Sequence, residues 1–126
     1  MQRPISITLI AGLFIVVGAA GLLNDLWPLL TDASRQLAKL KADGWADLGP
    51  AWTSRALAIV GGVGLLGGRN WARWLLVAWM VFHIGLSLLH SWPQLLVHCA
   101  FFAPILYLLF RRSMEPYFHG ANAGTV

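Results

Sequence analysis

Charge is scarce in this chain. Nine Lys/Arg and five Asp/Glu make 11% of 126 residues. A soluble domain carries roughly 25%, so this surface is not one that water requires. The acidic residues Asp25, Asp32, Asp43, Asp47 and Glu115 stand apart, and no apolar stretch holds a close carboxylate pair for acid–base work. The single cysteine, Cys99, excludes an intrachain disulfide and any Cys-x-x-Cys-His haem attachment. Gly-x-Ser-x-Gly and His-Glu-x-x-His are both missing, so an enzyme is not expected. Net charge is +4, but the basic residues sit at the ends of apolar segments rather than in a patch with exposed aromatics. Nucleic acid is therefore not an expected partner.

Hydrophobic residues are abundant instead, at 58%, and they fall into four stretches. The fold class this predicts is an all-α membrane protein, a four-helix transmembrane bundle forming one integral domain. The expected spans are about residues 5–27, 51–67, 71–91 and 94–110. The second and fourth are near the lower limit of about 17 residues. The start of the first, Arg3 before an apolar run ending in Gly18-Ala19-Ala20, has signal-peptide character. The run continues through Leu22, Leu23, Leu26 and Trp27, however, which argues against cleavage.

Between the first two spans, Leu30, Ala33, Leu37 and Leu40 recur at helical spacing among Arg35, Gln36, Lys39 and Lys41. A short amphipathic helix over about 32–43 is expected there, with Asp32 capping its start and Gly44 its end. Lys/Arg placement sets the orientation. With both termini cytoplasmic, Arg3, Arg69, Arg73, Arg111 and Arg112 lie inside, and Arg35, Lys39, Lys41 and Arg55 outside. Trp27, Trp45, Trp52 and Trp92 then mark the outer interface, and Trp71 and Trp74 the inner one. Trp79 alone lies well inside a span.

Small residues predict where helices touch. Gly18 and Gly21 in span one, and Gly61, Gly64 and Gly68 in span two, allow the close backbone approach that drives association in lipid. The glycine run has no Gly-Lys-Ser/Thr ending and is no phosphate loop. Pro104 interrupts span four and frees the carbonyl of Ala100.

Polar residues gather in the outer half. His83, Ser87 and His90 stand at i, i+4 and i+7 on span three, and Gln94 and His98 at i, i+4 on span four. The tight Ser91–Pro93 link makes these two spans antiparallel neighbours, so the two polar faces can meet. Asp25 and Arg55 can pair across spans one and two, which makes each tolerable in a low dielectric. Ionisable groups in a bilayer are costly and mark candidate sites. His83, His90 and His98 are therefore the candidate cofactor-binding residues, for haem b, a metal ion or a quinone. The competing reading makes them interhelical hydrogen-bond partners. No catalytic residue is assigned, and no complete metal shell is evident. His119 is expected to be solvated.

Three segments carry a resemblance: Arg3-Pro4-Ile5-Ser6-Ile7, Gly68-Arg69-Asn70-Trp71-Ala72-Arg73-Trp74, and Phe110-Arg111-Arg112 followed by Pro116-Tyr117-Phe118. Together they resemble a broad group of small, uncharacterised four-span bacterial inner-membrane proteins. The resemblance implies four helices, cytoplasmic termini and multi-pass insertion, and it implies no activity. On this basis the expected role is non-enzymatic, as an accessory or interaction subunit in the inner membrane. Its partners would be the lipid bilayer, other membrane proteins or further copies of itself. The alternatives are a haem-, metal- or quinone-binding protein using the outer histidines and a small oligomeric transporter.

Overall fold

The computed structural model of the chain describes residues 3–43 and 48–120. All regular structure among them is helical: α1 (Ile5–Thr31), α2 (Ala33–Asp43), α3 (Leu48–Leu66), α4 (Asn70–His90), α5 (Trp92–Phe110) and a short α6 (Glu115–Gly120) after a single tight turn, Arg112–Met114. Gly44, Trp45 and Asp47 lie outside the described residues, as do the side chains of Lys39, Leu40, Asp43 and His90.

Three helices are long and apolar enough to cross a membrane: α1, the Asn70–Leu89 part of α4, and α5. In α3, Thr53, Ser54 and Arg55 and four glycines dilute the apolar run. Its 19 residues still extend about 28 Å at 1.5 Å per residue.

α1 runs past the end expected at Trp27, with Pro28 inside its last turn. Proline removes one intrahelical bond. The loss is small so close to the end, where Thr31 Oγ1 donates to the Trp27 carbonyl (2.9 Å) and the Asp32 amide to the Pro28 carbonyl (3.0 Å). Asp32 starts α2 as expected, its Oδ1 accepting from the Arg35 amide at 3.4 Å. α5 stays helical through Pro104.

The helices pack in the order α1, α3, α4, α5, each against the next, and α5 returns to α1 only sparsely. Pairings across each interface run antiparallel. Gly18 meets Ile59 while Ala11 meets Gly62, and Gly61 meets Leu76 while Gly64 meets Ala72. Glycine decides this spacing. A Cβ on Gly62 would lie 2.8 Å from the Ala11 carbonyl oxygen, and one on Gly18 would lie 2.8 Å from that of Arg55. Gly61 and Gly64 serve the opposite face, toward α4. Gly68, expected with these packing glycines, also shapes the turn. Its φ of 65° is left-handed, and its amide donates to the Leu65 carbonyl (3.0 Å) in the turn that ends α3.

The end of the bundle where α3 turns into α4 is sealed by the chain's last described segment. Phe118, Leu65, Leu109, Ile7 and Leu76 are fully buried there. Tyr117 Oη donates to the carbonyl of Leu66 (2.7 Å) in the last turn of α3 and lies 3.1 Å from that of Leu65, which also accepts from the Gly68 amide. Arg73, grouped with Arg69, Arg111 and Arg112 by its place at a helix end, is 4% exposed. Its guanidinium lies between the Phe110 and Phe118 rings, 4.9 and 4.3 Å from their centroids. It donates to Asn70 Oδ1 (2.9 Å from Nε) and to the Leu109 carbonyl (3.3 Å).

Candidate functional site

Opposite that seal, the polar residues of α1, α3, α4 and α5 make three interhelical connections, the last two sharing His83. The first joins α1 to α3. Arg55 Nε donates to Asp25 Oδ2 at 2.5 Å and Nη2 to Oδ1 at 3.0 Å, a two-pronged pair. Asp25 is 13% and Arg55 32% exposed at the side chain. Gly21 makes the pair possible, because a Cβ there would collide with the guanidinium.

The second connection joins α3 to α4, bringing Ser54, which sequence patterns left aside, to Trp79 and His83. Trp79 Nε1 donates to the backbone and hydroxyl oxygens of Ser54, each at 2.9 Å. The Ser54 hydroxyl lies 3.2 Å from His83 Nε2, and His83 Nδ1 lies 3.1 Å from the Trp79 carbonyl. A carbonyl only accepts, so Nδ1 carries the proton and Nε2 accepts from Ser54. Both nitrogens of His83 are thereby engaged. Trp79 lies deep in the bundle because its N–H has this partner and its ring meets Phe14 edge-on at 5.6 Å. The one signal for it in the sequence was a tryptophan too deep for the interface.

The third connection joins α4 to α5. Ser87 is 1% exposed. Its hydroxyl lies 2.8 Å from the His83 carbonyl and 2.8 Å from His98 Nδ1, which is itself 2.8 Å from the Gln94 carbonyl. The two carbonyls settle the directions. Ser87 donates to His83, and the Nδ1 proton is shared between Gln94 and Ser87. In the neutral ring His98 Nε2 keeps its lone pair, and it has no hydrogen-bond partner among the described residues. Gln94 contributes its backbone rather than its side chain. His90 is the last residue of α4, and its side chain lies outside the described part of the structure.

The His83 and His98 rings lie 6.1 Å apart between centroids, on the wall of a cavity of about 230 Å³. The cavity fills the loose seam where α5 returns to α1. α1 supplies Leu13, Phe14 and Val17; α4 supplies Trp79, Met80 and His83; α5 supplies Val97, His98, Phe101 and Ile105. Among the described residues, the imidazoles and the Trp79 indole are the only polar side chains in that wall. Leu13, Val17, Val97 and Phe101 are 42–56% exposed at its rim.

This geometry bears on what the site can hold. A bis-histidine haem or a metal pair needs both rings to turn a free nitrogen to one ion. His83 has none to spare without breaking its bond to Ser54. Among the described residues no three His, Cys, Asp or Glu side chains converge as a ligand shell. An apolar guest with one polar group matches the wall better. Comparison with known protein families, curated proteins and solved structures finds no match to this chain.

Proposed function

We propose that this chain is a non-enzymatic integral membrane protein that binds a lipid-soluble ligand between α1, α4 and α5. The cavity carries the reading: about 230 Å³, apolar apart from His83, His98 and Trp79, and rimmed by half-exposed side chains. In this reading α3 is the fourth span, because it lies antiparallel along α1 from Asp25–Arg55 down to Ala11–Gly62 and so shares its depth. The pairing of Arg55 with Asp25 supports that placement by removing a lone charge from lipid. Both termini are cytoplasmic, the membrane is a bacterial inner membrane, and α2, with Arg35 and Lys41 beside exposed Leu37, lies on the outer leaflet.

Native mass spectrometry of protein released from lipid nanodiscs tests the binding role. One small amphiphile per chain should be retained, and it should be lost from Val17→Trp, which places an indole in the cavity mouth. A wild-type chain that retains only phospholipid, and takes up no added amphiphile, would refute the reading.

A second role, as an accessory subunit of a larger membrane assembly, is supported by α5, which buries only 11% of its most apolar window within the chain. Mild-detergent purification should then bring a larger membrane protein with it in fixed stoichiometry, and removal of that contact should not follow Val17→Trp.

A further inference from the structure

We propose that the α1/α4/α5 cavity discriminates by redox state, taking the hydroxyl-bearing quinol form of a lipid-soluble aromatic carrier in preference to its oxidised quinone. The inference rests on the ligand-binding reading above and deepens it. Hydrogen-bond polarity supplies the first reason. Every donor in the wall is committed inside the protein: Trp79 Nε1 to Ser54, His83 Nδ1 to Trp79, and His98 Nδ1 to Gln94 and Ser87. In the neutral ring this leaves one acceptor, His98 Nε2, on a residue that lines the cavity. A quinol hydroxyl can donate to it. A quinone offers only carbonyl oxygens, which would be buried facing a lone pair, and a buried polar group without its partner costs free energy.

Size and shape supply the second. An apolar cavity of about 150 Å³ accommodates benzene. At about 230 Å³ this one has room for a substituted six-membered ring. Phe14, Trp79 and Phe101 provide aromatic faces for it. Access supplies the third. Buried Leu65, Leu109 and Phe118 close the inner end, whereas Val17 and Val97, 48% and 54% exposed, flank the seam between α1 and α5. A ring can enter sideways from the bilayer and leave its isoprenoid tail in lipid. No electron transfer is invoked, since selective holding of one redox form needs none.

The test uses the full chain in lipid nanodiscs with two probes, tetramethylbenzoquinol under argon and tetramethylbenzoquinone in air, measured by equilibrium dialysis. The quinol should bind at least tenfold tighter, and His98→Phe should erase the preference. Nitrogen NMR of the histidine-labelled wild type gives a readout that needs no variant: the His98 Nε2 resonance should move on adding quinol and stay put with quinone. Equal affinities, tighter quinone binding or a static Nε2 resonance would overturn the quinol preference while leaving a ligand site in place. Binding of neither probe, or binding that Val17→Trp leaves untouched, would overturn the ligand-binding reading itself, and the inference with it.

Discussion

Asp25 and Arg55 show how far the surroundings set what one side chain is worth. On a wet surface such a pair contributes little. Here the carboxylate is 13% exposed, both its oxygens are taken by the guanidinium, and Gly21 leaves the space the arginine needs. Removing one partner strands the other charge. Asp25→Ala is expected to destabilise the fold by about 3 kcal/mol, at the low end for buried pairs because Arg55 keeps about a third of its side chain exposed. Asp25→Ala/Arg55→Leu should cost clearly less than the sum of the two single changes. Unfolding in mixed detergent micelles reads this as a double-mutant cycle, and strict additivity would show that the charges do not interact. The partnership was visible in the sequence because both residues are rare charges at matching depth in adjacent spans. The Ser54–Trp79–His83 triangle was not. Serine is common in membrane helices, and nothing in its spacing says which histidine it faces. The burial of Arg73 was hidden for a related reason. A basic residue near a helix start reads as a marker of membrane side, and its burial depends on Phe110 and Phe118, which come from much later in the chain.

At the scale of the helix, α3 holds the structure together by having almost no side chains where it touches. Gly62 faces α1, and Gly61 and Gly64 face α4, so that one helix serves two close interfaces. In lipid, where apolar side chains gain nothing by leaving solvent, such contact is the main attraction available. Gly62→Ala would drive a Cβ against the Ala11 carbonyl, a backbone atom that cannot turn aside, 2.8 Å away. A loss of about 1–3 kcal/mol is expected from overpacking. Gly12→Ala is the matched control: nothing lies within 4 Å of its added Cβ, so it should be neutral or slightly stabilising. Thermal melting of the two variants in one detergent decides it, and equal melting points would remove glycine packing from the account. The long helices were legible as apolar runs, and α2 from its periodicity and its Asp32 cap. α6 was not, since six residues carry too little periodicity to be distinguished from a tail. Its role depends on Tyr117 reaching carbonyls some fifty residues earlier, at Leu65 and Leu66.

For the whole molecule, the number of crossings determines where the chain ends. α1, α4 and α5 meet the requirements for spanning on length and composition. If α3 lay outside the membrane, three crossings would put the two termini on opposite sides. If α3 crosses as well, both termini share one side. Charge placement favours the second arrangement. Arg69, Arg111 and Arg112 flank the proposed inner ends of α3, α4 and α5 and are exposed, while Arg55, on the outer side, is neutralised by Asp25. Packing agrees with it, since a helix bonded to α1 near residue 25 and touching it again near residue 11 has nowhere to lie but alongside. Fluorescent-protein and alkaline-phosphatase fusions after Val126 test this directly in a bacterial host. The C-terminal fluorescent fusion should be bright and the phosphatase fusion inactive, with the same outcome for reporters placed before Met1. Opposite readings at the two ends would remove α3 from the membrane. The outer-half polar connections and the lateral cavity would then have to be placed in a three-span frame.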